Sequence, residues 1–215
     1  MSANGPGPAH PVFARVYGRF SRCAEAQGVG RHRDELLRGL QGRVLEVGAG
    51  NGLNFQHYPA AVTEVVAVEP EPYLRGLATR AASEAPVPVV VQDGVAGALP
   101  APDGAFDAVV ASLVLCSVPD QAGAIAEMAR VLAPGGELRF YEHVLARGTA
   151  RAAVQRTLDR LRIWPTLAGG CHLARDTEAA IAAGGFTIES VRRFPFPPGP
   201  IGLPHVIGVA RRLPG

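Results

Sequence analysis

Short apolar runs rich in β-branched residues recur along the chain, each closed by glycine, proline or an acidic residue. "RVLEV" (Arg43–Val47), "EVVAV" (Glu64–Val68), "VPVVV" (Val87–Val91), "FDAVVAS" (Phe106–Ser112) and "ELRFYEH" (Glu137–His143) predict five strands. Helical periodicity fills the intervals, over Tyr73–Ser83 and over Asp120–Leu132 before the stop signal "APGG". Two amphipathic segments, Phe13–Gln27 and Arg31–Leu40, precede the first strand, and a short helix or turn is expected near Leu53–His57. The last third breaks the repetition. A helix over Ala150–Trp164, ended by Pro165, and another over Arg175–Gly184 lead to two strand-like runs, Phe186–Phe194 and His205–Leu213. No helix separates those two runs, so they are expected to pair antiparallel.

Strands that are apolar almost throughout and alternate with helices imply a parallel sheet covered on both faces. The expected fold is α/β: a Rossmann-like doubly wound sheet of about seven strands, mostly parallel with an antiparallel last strand, plus N-terminal helices. Residues 1–10 read as a flexible lead-in and 11–215 as one domain, with lid helices over 11–40 and a substrate-side insertion over 144–177.

A 215-residue chain with 47% hydrophobic and 19% charged residues suits a single well-filled core and excludes a disordered one. All 21 basic residues are arginine, scattered singly or in pairs, and the net charge is +2. That pattern disfavours nucleic acid as a partner. Cys23, Cys116 and Cys171 are too few and too spread to suggest a disulfide framework or a metal site, which points to a reducing compartment. The N-terminus lacks signal-peptide character. The longest apolar stretch, Ala108–Val118, falls far short of the ~20 residues of a membrane span, so a cytoplasmic protein without a membrane anchor is expected.

"GRVLEVGAGNGLNFQHYP" (Gly42–Pro59) reads as a strand, a glycine turn and a helix, which suits a nucleotide-type cofactor. Gly48, Gly50 and Gly52 give GxGxG, whereas a dinucleotide fingerprint needs a third glycine where Leu53 stands. Glu46 beside the turn would repel a pyrophosphate but tolerate the cationic methionyl amine of S-adenosylmethionine. It serves the cofactor or satisfies loop N–H groups. Glu69, twenty-three residues on, can accept both ribose hydroxyls, with Pro70 after it. Asp93 can accept from the adenine amino group, or cap a turn with Gly94. Asn51 and Asn54 touch ligand or cap the short helix. Ala49 in the turn, Ser112 and Leu113 after strand four, and Tyr17 in the first helix complete the expected cofactor set. Tyr17 either folds over the cofactor in a lid or makes a plain amphipathic contact.

"VLEVGAGNG", "VAVEP", "FDAVVASLVLCSV" and "RVLAPGGEL", in that order, resemble the class I S-adenosylmethionine-dependent methyltransferases. "NFQHYP", "LVLCSV", "YEHV", "WPTLAGGCHLARDT" and "PHVIGVA" resemble the thiol S-methyltransferase group within it. The animal members begin with an apolar membrane anchor. This chain begins with a polar, Gly/Pro-rich stretch, so membrane association is not carried over. The resemblance implies a small-molecule thiol as acceptor and S-adenosylhomocysteine as product. His143 would take the thiol proton or hold the acceptor, unless it only packs beneath the following loop. His172 and Arg175 would line the acceptor pocket, Arg175 favouring an anionic thiolate or else holding the helix that begins at Asp176. Trp164 is pocket wall or core. Cys116 and Cys171 read as small core residues, since the methyl donor is already activated. Rival readings are methyl transfer to O, N or C of a metabolite or lipid headgroup, a non-catalytic S-adenosylmethionine-binding module, and a nicotinamide-dependent oxidoreductase.

Overall fold

The computed structural model describes residues 30–198 and 202–213. The lead-in, the expected helix over Phe13–Gln27, Tyr17 and Cys23 lie outside them. The chain runs α1 (Gly30–Leu37), β1 (Gly42–Val47), a 3₁₀ turn (Phe55–His57), β2 (Val62–Val68), α2 (Pro72–Ala82), β3 (Val89–Gln92) and β4 (Phe106–Ser112). It continues through α3 (Gln121–Val131), β5 (Leu132–His143), α4 (Thr149–Arg160), α5 (Ile163–Leu167), α6 (Thr177–Ala183), β6 (Phe186–Phe196) and β7 (Leu203–Arg212).

These strands form one seven-stranded sheet in the order β3-β2-β1-β4-β5-β7-β6. Pairings from β3 to β5 are parallel, and β7 runs antiparallel to both β5 and β6. Alternate residues of the central strands enter opposite cores, as a period of two requires. Leu45, Val66, Val109 and Leu138 pack on one face with Ile125 and Met128 of α3 and Ile181 of α6. Val44, Val65, Ala108 and Tyr141 pack on the other with Leu36 and Leu37 of α1 and Ala78 of α2. Both faces are therefore dry, which is why these strands are apolar throughout.

Side-chain caps set three helix starts. Glu71 accepts from the Leu74 N–H (2.7 Å) with Pro72 opening α2, Asp120 accepts from Gly123 (3.0 Å), and Asp176 accepts from Ala179 (3.2 Å).

The structure corrects two expected boundaries. Pro165 does not end the helix after β5. The break comes earlier, where Arg162 takes a left-handed conformation (φ 55°), and Pro165 sits in the first turn of α5, where no N–H is needed from it. "APGG" separates no elements either: β5 starts at Leu132 directly after α3, and the register against β4 jumps from Phe106↔Leu132 to Ala108↔Glu137. The extra residues are absorbed as an irregularity within the strand.

Candidate active site

The carboxyl ends of β1, β2, β4 and β5 converge on one edge of the sheet, where open α/β sheets bind ligands. The β1 glycine turn is moored to β2, since Gly48 and Ala49 both donate to the Val68 carbonyl (2.8 and 3.1 Å). Gly48, Gly50 and Gly52 all have positive φ. At Gly48 the demand is double: φ is +65°, and a Cβ would stand 2.5 Å from Cγ2 of Val114. The turn thus lies tight against the loop that follows β4.

Glu69 closes β2, and its carboxylate accepts from the N–H groups of Gly50 (2.8 Å) and Glu71 (2.9 Å). Burial raises its pKa despite those bonds. Glu46 is fully enclosed. It accepts from Asn54 Nδ2 (2.8 Å) and the Tyr58 hydroxyl (2.7 Å), and burial pushes its pKa up to about 7. Asn54 does not cap the 3₁₀ turn with its side chain; its Oδ1 accepts instead from Arg33 Nη1 of α1 (2.5 Å). Arg33 and Tyr58 were not singled out in the sequence. An arginine on the buried face of an amphipathic helix was the available signal for the first.

Arg33, Glu46, Gly48, Asn51, Ser112 and Leu113 line a polar cleft at this edge. Two observations mark it as built for a ligand. The Ser112 hydroxyl is buried without a protein partner, and Leu113 holds a left-handed backbone (φ 60°) that a leucine adopts only under constraint. A cleft with a cation and a carboxylate at one end and Glu69 beside the glycine turn fits the amino-acid and ribose parts of S-adenosylmethionine. Asp93 lies farther out, 72% exposed and paired with Arg75 Nη1 at 3.0 Å. Gly94 is packed against Val68 and Pro100. Pro70 gives its carbonyl to Arg75.

His143, expected from the sequence to meet the acceptor, is the last residue of β5. Glu142 points the other way, accepting from the N–H groups of Val114 (2.9 Å), Leu115 (2.9 Å) and Cys116 (3.1 Å), and burial lifts its pKa to about 7. The His143 Nδ1 lies 3.2 Å from Cys171 Sγ. Of the two neighbouring thiols Cys171 is the more acidic, favoured by a hydrogen bond from Cys116 and by His143, while Cys116 is held up by the same pairing and by burial. His205, at the start of β7, stacks edge-on to His143 with ring centres 4.3 Å apart. Burial, with His143 adding to it, drives its pKa down to about 3, so it stays neutral. Phe194, Phe196, Tyr141 and His32 extend these rings into an aromatic wall.

The remaining expected acceptor residues divide. Trp164 stands half-buried on α5, and its indole N–H has no hydrogen-bond partner. His172 is partly exposed and faces Asp159 at 3.7 Å. Arg175 gives both terminal nitrogens to backbone, Nη1 to the Leu115 carbonyl (2.5 Å) and Nη2 to that of Val118 (2.6 Å). It ties the entry of α6 to the loop after β4. The sequence placed Cys116 and Cys171 as separate core residues and missed His205; only the fold brings them to His143.

The fold, the glycine turn and the acidic strand end agree with what its relatives show: the chain belongs to the class I S-adenosylmethionine-dependent methyltransferases. The pattern of the methyltransferase domain family matches residues 45–140. The chain is 37% identical over 182 residues to thiol S-methyltransferase TMT1B of Mus musculus, covering 81% of this chain and 73% of that one. It is 33% identical over 168 residues to demethylmenaquinone methyltransferase of Thermus thermophilus, covering 76% and 72%. Among solved structures the [4+2]-cyclase SpnF superposes with a TM-score of 0.72 at 23% identity, over 88% of this chain and 82% of that one, a likeness of fold. S-adenosylmethionine is the cofactor of this family, and the protein is a small-molecule methyltransferase. No helix among the described residues is long and apolar enough to cross a membrane.

Proposed function

We propose that the protein transfers the methyl group of S-adenosylmethionine to the thiolate of a small molecule. The observation that carries this reading is the make-up of the acceptor side. An imidazole with two buried sulfurs beside it stands there, while the neighbouring carboxylate, Glu142, commits both oxygens to three backbone N–H groups. No strong base is offered, and a thiol needs none: with a pKa of ~8.5 it is already a few per cent ionised at neutral pH. The relation to TMT1B supports the same class of acceptor.

Bound S-adenosylmethionine supplies an electrophilic methyl group on a sulfonium. The chain's part is to hold the donor and to aim the acceptor. Glu69 takes the ribose hydroxyls on lone pairs left by Gly50 and Glu71, Arg33 and Glu46 take the charged methionyl end, and Asp93 with Gly94 borders the adenine. His143 stands where the acceptor sulfur arrives. The thiol gives its proton to solvent or to His143, its sulfur forms a bond to the methyl carbon, and the carbon–sulfonium bond breaks to leave S-adenosylhomocysteine. Charge is annihilated in that step, so the dry wall of Phe194, Phe196 and Tyr141 favours it, and alignment supplies several kcal/mol.

The test is a panel of thiols, amines, phenols and quinols offered with S-adenosylmethionine to the purified full chain. Thioether and S-adenosylhomocysteine should form together from thiols. Ready methylation of phenols, quinols or amines with no thiol accepted overturns the reading.

A further inference from the structure

We propose that Cys116, His143 and Cys171 form a binding site for a thiophilic metal ion of the Zn(II) type, with an open position that receives the acceptor's sulfur. The choice of acceptor rests on the reading above; the metal site rests on geometry alone.

Cys116 comes from the loop after β4, His143 from the end of β5 and Cys171 from the loop after α5, fifty-five residues beyond Cys116. Their three donor atoms lie within 4.8 Å of one another, with Nδ1 of His143 3.2 Å from Cys171 Sγ. Zn–S bonds of about 2.3 Å and Zn–N bonds of about 2.0 Å at tetrahedral angles place such donors roughly 3.5–4 Å apart. Small side-chain adjustments therefore suffice. Two sulfurs and an imidazole select a soft or borderline ion over Mg(II) or Ca(II). Three protein ligands with the fourth place free is the pattern of a reactive site rather than a structural one.

The surroundings hold this triad in place. The N–H of His172 donates to the Cys116 carbonyl (2.8 Å), fastening the two cysteine loops to each other. Glu142 grips the Cys116 N–H, and Asp159 of α4 accepts from Leu173 (3.0 Å) and Ala174 (2.8 Å) just beyond Cys171. The Trp164 indole N–H, on the helix just before the Cys171 loop, is buried without a hydrogen-bond partner.

The reaction closes without any further reagent. An acceptor R–SH releases its proton to solvent as its sulfur takes the fourth position. The sulfur then forms its bond to the methyl carbon while the carbon–sulfonium bond breaks, and the neutral thioether, a poor ligand, departs. His143 acts as a ligand in this scheme, and the metal does what a general base would otherwise do.

Titrating the metal-free, reduced full chain with Co(II) tests the site before any acceptor is present. One equivalent should bind, with a sulfur-to-cobalt charge-transfer band and the intense visible bands of four-coordinate cobalt. Zn(II) should erase both. Cys171→Ser should remove roughly half of the charge-transfer intensity, one thiolate of two. Cys116→Ser should do the same if it folds, and Cys23→Ser should change nothing. Adding a thiol acceptor should strengthen the charge-transfer band. A chain that shows only the spectrum of aqueous Co(II), or keeps its full band in Cys171→Ser, overturns the metal site and leaves thiol methylation to its own assay. Metal binding with no spectral response to any thiol that the enzyme methylates overturns the open coordination position.

Discussion

The N–H of Gly50 donates to Oε2 of Glu69 at 2.8 Å, so the glycine turn of β1 and the acidic end of β2 form one unit. Replacing Glu69 therefore affects both. Glu69→Ala should weaken S-adenosylmethionine binding by about 1–3 kcal/mol, the cost of leaving ribose hydroxyls and the turn's N–H without a partner. Glu69→Gln, which keeps one acceptor oxygen, should lose less. Calorimetry giving wild-type affinity for a folded Glu69→Ala protein would remove the carboxylate from the cofactor site.

Glu46 makes cofactor binding pH-dependent. Its carboxyl, raised by burial to about 7 in the free chain, must ionise to face the methionyl ammonium. Binding should therefore release a proton, and affinity should climb between about pH 6 and about pH 8 and then level. Stability of the free chain runs the opposite way. A raised carboxyl pKa favours the folded state below its ordinary 4.5, and that advantage fades as pH rises to about 7. Glu46→Gln should flatten both profiles. Calorimetry in two buffers of different ionisation heat, showing no proton release near pH 7, would contradict the assignment.

Arg175 is expected to act on stability rather than on the cofactor. Arg175→Met leaves the Val118 carbonyl without its side-chain donor and the Leu115 carbonyl with Gln121 Nε2 alone, and should cost about 1–3 kcal/mol in denaturant unfolding. S-adenosylmethionine affinity should stay within about twofold, since the cleft is formed by other residues. Unchanged stability together with a large rise in KM for the thiol would instead make Arg175 an acceptor ligand.

The strand core was readable because it is local. Residues such as Val65–Val68 and Val109–Ala111 are buried on both sides, and an unbroken apolar run is the direct imprint of that environment. Glu46, Glu69 and the glycines were readable for a related reason, being fixed in spacing by one strand and one turn. The acceptor side was not. Cys116, His143, Cys171 and His205 come from four separate places in the chain, and no periodicity encodes contacts made by an antiparallel strand and an inserted loop. Arg33 was not singled out because three arginines share the amphipathic segment Arg31–Leu40, and only its place on the buried face, where the fold turns its guanidinium inward, sets it apart.

If His143 takes the thiol proton, His143→Ala should lower kcat by roughly 10²-fold with S-adenosylmethionine affinity preserved. The loss should shrink for thiols of low pKa, which arrive already ionised. An equal loss for high-pKa and low-pKa thiols would show that His143 serves only to shape the pocket.

Gly48→Ala should be harmful where Gly97→Ala is not. The first forces a methyl against Val114 at a left-handed backbone, and the second meets nothing within 4 Å. A loss of about 1–3 kcal/mol in unfolding free energy is expected for Gly48→Ala alone, with weakened cofactor binding. Equal melting temperatures for the two variants would show that the turn is more pliable than its contacts imply.

Because β7 runs against its neighbours, its first residues come back to the edge where β1, β4 and β5 end. His205 thereby comes to an edge whose cleft-lining residues, through Leu113, leave the ribosome more than ninety residues ahead of it. On the proposed function, the half of the protein that holds the donor is translated before the wall that meets the acceptor exists. Truncations that remove β7 should on this account spare donor recognition longer than turnover, and a frameshift near the 3′ end of the message is the kind of lesion that separates the two.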